Sequence, residues 1–414
     1  MQIKRPTGVQ INRRSLVETA SDLVNIPSPT GDEFAMAEHM ARLFHDMGLH
    51  VQWQEVEEGR PNVLGTWRGT GGGKTLMFNG HMDTSYSGRE PWLAGHRGFR
   101  PEAHVDGDYL FGLGISNMKG ALACYVEAVR ALQSAGVRLK GDVLIAAVVG
   151  EIEKTQWEEF RGKEYRGYAA GSRHLVTHGG IADMCVLGEP TERRIVLGHY
   201  GSIWMRLTTR GPFVHTAFSG GRAEENSILR MRAVLDAVLE WIPEWQAQTS
   251  YGGSPGVVNV GSIRGGYPWR VSRTPGRTDL FLDVRVPPTM PMAEARSALG
   301  DWVRSLQERF PDFGIDWEIY VSAPGAEIED GHELVRALDA AHTEVFGSAP
   351  ERDTVRWFSD ASVLTRYGIP TVNYGTSSGL PGADGENLEI RGLVDTARVY
   401  ALVAQQVCGA ASTS

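Results

Sequence analysis

The ten residues Thr75–Thr84, TLMFNGHMDT, decide how the chain is read. Thr75–Phe78 is an apolar run too short for an ordinary helix, and it gives way at once to Asn, Gly, His and Asp. It predicts a buried strand whose carboxyl end presents His81 and Asp83. Two further stretches repeat the arrangement. Val143–Val149 precedes Glu151 in VVGEIEKT, and Met184–Leu187 precedes Glu189 in CVLGEPT. Helical spacing over Ala121–Gln133 and Ala169–Thr177 separates these runs, the alternation of an α/β sheet with helices on its faces. The expected fold is therefore a mostly parallel sheet flanked by helices. In open sheets of that kind ligands bind beyond the carboxyl ends of the strands. One His and several carboxylates thus converge where a ligand or a metal ion would sit.

Outward from this centre, Leu16–Val24 and Phe34–Met47 carry helical apolar spacing on either side of the loop IPSPTGDE. From about Tyr200 the texture changes. SIWMRLTTRG alternates like a half-buried strand, Ile228–Trp241 is an amphipathic helix, and VVNVGSIRGG and DLFLDVRVP are further strands. After Pro324 the pattern returns to a helix, Glu333–Phe346, then a short strand, Thr371–Tyr374, a Gly-rich loop and a last helix. We expect a catalytic domain in two parts, 1–199 and 323–414, interrupted by a smaller inserted α+β lid domain over 200–322.

Composition agrees with two globular domains. The 414 residues exceed what one ordinary core serves, and 42% hydrophobic with 22% charged residues is average for a globular protein. A net charge of −9 without any basic run disfavours nucleic acid as a partner. Cys124, Cys185 and Cys408 are far apart and without CxxC spacing, which suits a reducing compartment. No stretch approaches the ~18 apolar residues that span a bilayer, and MQIKRPTGVQINRRSLVETA has no apolar leader core. A cytoplasmic protein with no membrane partner is expected.

The individual residues carry chemistry to different degrees. His81 can offer an imidazole nitrogen to a metal, with Asp83 two residues on accepting the other ring N–H. Glu189 in GEPT can be a carboxylate ligand on a turn stiffened by Pro190. Glu151 can act as general acid and base beside an activated water, although alone it reads as a solvated strand end. Asn117, in GLGISNMKGALA just before a helix, is by spacing an ordinary helix cap; its amide oxygen is the neutral alternative as a ligand. His215, in TTRGPFVHTAF, says little by itself. Tyr267, Trp269 and Arg270, in GGYPWRVSRTPG, are by themselves packing and solvated charge. Oxygen-rich, partly neutral ligation suits Mn²⁺ as well as Zn²⁺.

Taken together, GHMDT, GLGISNMKGALA, GEIEKT, LGEPT, RGPFVHTAF and the late GTSSG…ENLEI resemble the M20 metallopeptidase and deacylase family, whose members include acetylornithine deacetylase, succinyl-diaminopimelate desuccinylase and carboxypeptidase G. The resemblance covers nearly the whole chain. It implies a catalytic domain split by a lid that often forms a homodimer contact, and two metals sharing a bridging Asp. It implies His81 and Glu189 as ligands of one metal, Glu151 as the base, and His215 as an electrostatic group reaching the partner subunit's site. Asn226, in ENSI, occupies a position that often lines the same cleft, and the altered loop puts Tyr267 and Arg270 forward as contacts to an aromatic, carboxylate-bearing ligand.

Three departures from the family pattern run in one direction. Asn117 stands where the bridging Asp belongs, Ile152 stands where a second-metal Glu follows the base, and GLPGADGENLEI holds no histidine, Asp384 being the nearby candidate. The expectation is one divalent ion per chain, Mn or Zn, held by His81, Asn117 and Glu189, with Glu151 as general acid/base and Asp83 behind His81. The implied activity is hydrolysis of a C–N bond in a small carboxylate-bearing substrate. The alternatives are hydrolytic deamination of an aromatic amine, as in the M20-like 5-nitroanthranilate aminohydrolase branch, and a catalytically inactive ligand-binding homologue.

Overall fold

The computed structural model describes residues 8–411 except 221, 378 and 381. The chain separates into two compact units. Unit 1 comprises residues up to 197, 327–353 and 359 onward; unit 2 comprises 198–326 and 354–358.

Unit 1 opens with helices α1 (Arg13–Asn25) and α2 (Phe34–Asp46). The Asn12 side chain caps α1 by accepting the amides of Arg14 and Ser15, which leaves Leu16, Ala20, Leu23 and Val24 as its buried stripe. Strands β1 (His50–Glu57), β2 (Arg60–Trp67) and β3 (Leu76–His81) follow. Then come the short β4 (His104–Asp106) and β5 (Tyr109–Phe111), helix α3 (Gly120–Ser134), β6 (Val143–Val148), α4 (Ala170–Thr177), β7 (Met184–Leu187) and β8 (Ile195–His199).

Unit 2 is a sheet of β9 (Gly201–Arg210), β10 (Val258–Gly265), β11 (Arg277–Val286) and β12 (Asp316–Ala323), in the order β10-β11-β9-β12 and antiparallel throughout. Helices α5 (Ser227–Gln248) and α6 (Met292–Arg309) cover one face. Alternate strand residues such as Met205, Leu207, Leu280, Leu282 and Val284 meet Met231, Val234, Val238 and Leu299 in a core of this unit's own. α5 continues seven residues beyond the apolar spacing that ended at Trp241, because Trp245 is buried and its indole donates to the Arg285 carbonyl at 3.2 Å.

The chain continues with β13 (Ala326–Glu327), α7 (Glu333–Phe346), β14 (Arg352–Val355), α8 (Ala361–Arg366), β15 (Thr371–Asn373), β16 (Asn387–Glu389) and α9 (Ile390–Cys408). Its large sheet runs β1-β2-β6-β3-β7-β15-β8-β13, with β14 on β8. The central pairings β6-β3, β3-β7 and β7-β15 are parallel. These strands are buried on both faces, which is why they read as unbroken apolar runs. Phe78 points to the α3 and α9 side, where it stacks on Tyr125 at 4.9 Å and meets Tyr400 at 5.4 Å between ring centroids. Its neighbour Asn79 points the other way and donates to Ser172 of α4 at 3.2 Å.

The strand predicted over Thr75–Phe78 begins at Leu76 and extends to His81, because its pairing with β6 continues through His81 opposite Val148. His81 is thus the last residue of a strand and shares the rigidity of the sheet.

Candidate metal centre

Three neighbouring strands supply the centre. β3 ends on His81, the Val149–Gly150 turn after β6 leads to Glu151, and Gly188 after β7 leads to Glu189. β3 lies between the other two, so a parallel ladder with strands about 4.8 Å apart sets the spacing of the three functional groups. Ligand atoms of His81, Glu151 and Glu189 lie within 4.8 Å of one another, and this is the only such group of three or more His, Cys, Asp or Glu among the described residues. His81 Nε2 is 3.8 Å from Glu151 Oε2 and 3.9 Å from Glu189 Oε1. All three side chains are buried.

The electrostatics ask for positive charge at this point. Burial pushes Glu151 well above the usual carboxylate range and the charge of Glu189 adds to it. Burial likewise raises Glu189 to about 7, against the pull of His81. For His81, burial acts to lower the pKa, but the Asp83 hydrogen bond and the charges of Glu151 and Glu189 prevail and hold it well above the ordinary imidazole value. Both ring nitrogens face oxygen: Nδ1 the Asp83 carbonyl and Nε2 the Asn117 amide oxygen, each at 2.9 Å. Glu189 Oε1 is buried with no hydrogen-bond partner. A cation among these oxygens satisfies that orphaned atom and relieves the carboxylate repulsion, so the donor set fits a divalent metal.

Asp83 differs from expectation in detail. Its backbone carbonyl takes the His81 Nδ1 contact, while its carboxylate Oδ1 is 3.5 Å away. The carboxylate instead accepts the amide of Glu151 at 3.1 Å, the amide of Ile152 at 3.3 Å and the Thr30 hydroxyl at 2.9 Å. Burial acts to raise its pKa, but the neighbouring His81 imidazole first, and then the Glu151 amide and the Thr30 hydroxyl, hold it below the ordinary Asp value.

Asn117 is not a helix cap. Its backbone is extended (φ −131°, ψ 92°), α3 begins after it at Gly120, and its side-chain oxygen is directed at His81. No cap is needed there, because the Lys119 amide donates to the Gly114 carbonyl at 2.8 Å and the Gly120 amide to the Ile115 carbonyl. Glu386 of the late loop holds the residues before them, its Oε2 accepting the amides of Ser116 and Asn117 at 3.1 and 3.3 Å. Ile152, where a second-metal ligand would stand, is a buried aliphatic side chain. Asp384 is exposed and paired with His96, away from the three-residue group.

His215, Asn226, Tyr267 and Arg270 all belong to unit 2. His215 caps a short turn, its Nδ1 accepting the Ala217 amide at 3.2 Å. Asn226 caps α5 through the Ile228 amide at 2.9 Å. Tyr267 is half exposed and stands edge-on to Phe213 and 5.5 Å from the Trp269 ring; Arg270 ends the turn Pro268–Arg270.

Two residues near the centre escaped sequence reasoning. One is Glu386. The other is Asp360, buried at the start of α8, its carboxyl raised to about 6 by burial, with Ser172 as hydrogen-bond partner and His81 and Asp83 in its field. No local signal marks Asp360, because an acid directly before ASVL reads as an ordinary helix cap.

Residues 77–406 match the model of peptidase family M20/M25/M40. The chain belongs to that family. Among curated relatives, it is 26% identical to N-formyl-4-amino-5-aminomethyl-2-methylpyrimidine deformylase of Bacillus subtilis (strain 168), the match covering 89% of this chain and 88% of the relative. It is also 26% identical to succinyl-diaminopimelate desuccinylase of Gluconacetobacter diazotrophicus, covering 94% and 96%. The M20 fold is shared with the aminopeptidase PepT of Bacillus cereus, with a TM-score of 0.72 at 20% identity over 96% of this chain and 100% of that one. This M20 protein is accordingly a metal-dependent hydrolase of C–N amide bonds. No helix among its described residues is long and apolar enough to cross a membrane.

Proposed function

We propose that this M20 enzyme hydrolyses the amide bond of a small carboxylate-bearing compound, an N-acyl amino acid or close analogue, at a centre holding one divalent ion. The observation that carries this is the buried convergence of His81, Glu151 and Glu189 from three adjacent strand ends. The two curated relatives above, a deformylase and a desuccinylase by name, both remove N-acyl groups.

His81 Nε2, Glu189 and the Asn117 amide oxygen would hold the ion, Mn²⁺ or Zn²⁺. When bound, it supplies Lewis acidity that polarises the scissile carbonyl and acidifies the attacking water. Glu151 takes the proton of that water and delivers it to the leaving nitrogen. Its buried, charge-crowded position raises its proton affinity toward the range where one carboxyl serves as base and then as acid. Asp83 sets the Glu151 backbone through the 3.1 Å amide contact. Ile152 offers no donor for a second ion, which is why a single ion is proposed. We assign His215 to stabilising oxyanion charge within a homodimer formed through unit 2, and Asn226, Tyr267 and Arg270 to substrate contacts. We place the enzyme in the cytoplasm.

A second reading, hydrolytic deamination of an aromatic amine, is favoured by one observation: Phe213, Tyr267 and Trp269 form an exposed aromatic group in unit 2. Catalytic inactivity is disfavoured because Glu151 lies within the buried group. Turnover of a panel of N-acyl amino acids, compared with 5-nitroanthranilate, tests the proposal. Turnover of the nitroaromatic alone overturns amide hydrolysis, and two tightly held ions in the buried centre overturn the single-ion site.

A further inference from the structure

Helix α4 ends in His174-Leu-Val-Thr-His178, which places two imidazoles four residues apart on one side of a helix. Their rings lie nearly parallel, 5° between planes, with centroids 3.6 Å apart. His178 is exposed and His174 half-buried, so the pair opens to solvent. The His178 ring is held in one tautomer. Its Nδ1 is 2.8 Å from the His174 backbone carbonyl and 3.0 Å from the Thr177 hydroxyl. A carbonyl can only accept, so Nδ1 carries the proton and Nε2 presents its lone pair outward. Histidines that bind metals characteristically donate the other ring N–H to such a carbonyl.

The geometry points to a second, surface site in which Nε2 of His178 and one ring nitrogen of His174 chelate a divalent transition ion of the Ni²⁺, Cu²⁺ or Zn²⁺ class. Two nitrogens bound at about 2.0–2.1 Å stand roughly 3 Å apart. The stacked rings carry their lone pairs side by side, so chelation requires both side chains to rotate out of the stack, and the four-residue spacing keeps both imidazoles within reach of one ion as they do so. Imidazole nitrogen favours these ions over Mg²⁺ or Ca²⁺, and solvent water completes the coordination. Each nitrogen gives a lone pair, water leaves the ion, and no redox step is involved. His178 closes the helix with non-helical backbone (φ −122°, ψ 32°).

The site is independent of the buried centre, yet it bears on counting ions there: a chain with one buried ion would carry two in excess metal. The experiment uses the untagged full-length protein with Ni²⁺ as probe. Ions per chain are counted after equilibration in excess Ni²⁺, and retention on a nickel-charged chelating resin is measured. The double substitution His174→Gln and His178→Gln is expected to take up one Ni²⁺ fewer and to lose retention, with unchanged thermal midpoint and turnover. Equal uptake and equal retention by the two proteins would overturn the surface site. A His81→Gln protein separates this result from failure of the buried-centre proposal, because it is expected to keep resin retention in full; loss of retention there would assign the binding to the buried centre and overturn the surface site as well.

Discussion

The Asp83 carboxylate accepts the Glu151 backbone amide at 3.1 Å, so the loop that follows the His81 strand fastens the loop that carries Glu151, the proposed base. Replacing Asp83 by Asn removes the charge that gathers the amides of Glu151 and Ile152 and the Thr30 hydroxyl. Turnover should fall about 10- to 100-fold, the usual effect of losing such a supporting group, while His81 keeps its carbonyl contact and the protein still takes up metal. Side-by-side steady-state kinetics and metal analysis check this; unchanged kcat shows that Glu151 needs no such fastening.

Glu151→Gln keeps the shape of the side chain and removes its proton-transfer ability. A loss of roughly 10²- to 10⁴-fold in kcat is expected, with metal content retained. If metal content falls in parallel with activity, Glu151 is a ligand rather than the base.

The metal-free protein should lose stability as pH rises from about 4.5 to 7. Burial raises folded Glu189 to about 7 from an ordinary value of 4.5. Between those values the folded state holds a proton that the unfolded chain has released, so increasing pH favours unfolding. The cost is on the order of 3 kcal/mol across the window. Thermal midpoints of metal-free protein across that range should fall with pH, and the Glu189→Gln protein should show a flatter profile. Saturating Mn²⁺ or Zn²⁺ should reverse the trend, since proton and ion compete for the same carboxylate.

Asn117→Asp places a charge 2.9 Å from His81. Binding of the buried ion should tighten by about tenfold or more, because ligand charge governs affinity for hard cations. The count in that centre should stay at one, because Ile152 still offers no donor. Calorimetric titration on the background lacking His174 and His178 reads this directly; two buried ions would show that Asn117 alone had excluded the second.

Gly375 faces the turn that bears Glu189. A Cβ there would lie 2.2 Å from the Glu189 carbonyl and 2.4 Å from that of Gly188, both backbone atoms with no easy retreat. Gly375→Ala should therefore displace Glu189 and weaken metal uptake more than it lowers the thermal midpoint, as metal titration and calorimetry together would reveal.

Much of this arrangement is written locally in the sequence. β3, β6 and β7 are legible because each is a short apolar run halted by Gly and a polar residue, and the position of His81 and Glu189 follows from their place at strand ends. Glu386 and Asp360 are not legible in that way. Each reaches the centre through contacts across hundreds of residues, Glu386 to the Asn117 amide and Asp360 to the field of His81, and no local spacing encodes such distances. Asn117 shows the same limit from the other side. Its position before a helix fits a cap, but the cap role depends on where the local amides go, and those of Lys119 and Gly120 already pair with the Gly114 and Ile115 carbonyls.

The order β6-β3-β7 has a consequence for how the protein comes to exist. His81 aligns with Val148 on one side, and its strand aligns through Asn79 with Leu187 on the other. Both pairings join segments far apart in the chain, so they form late and slowly relative to local helices. The proposed metal ligands converge only after both have closed in the right register. An ion cannot guide the nascent chain toward that register; it can only reward a sheet already assembled, and metal uptake during refolding should trail the formation of the sheet.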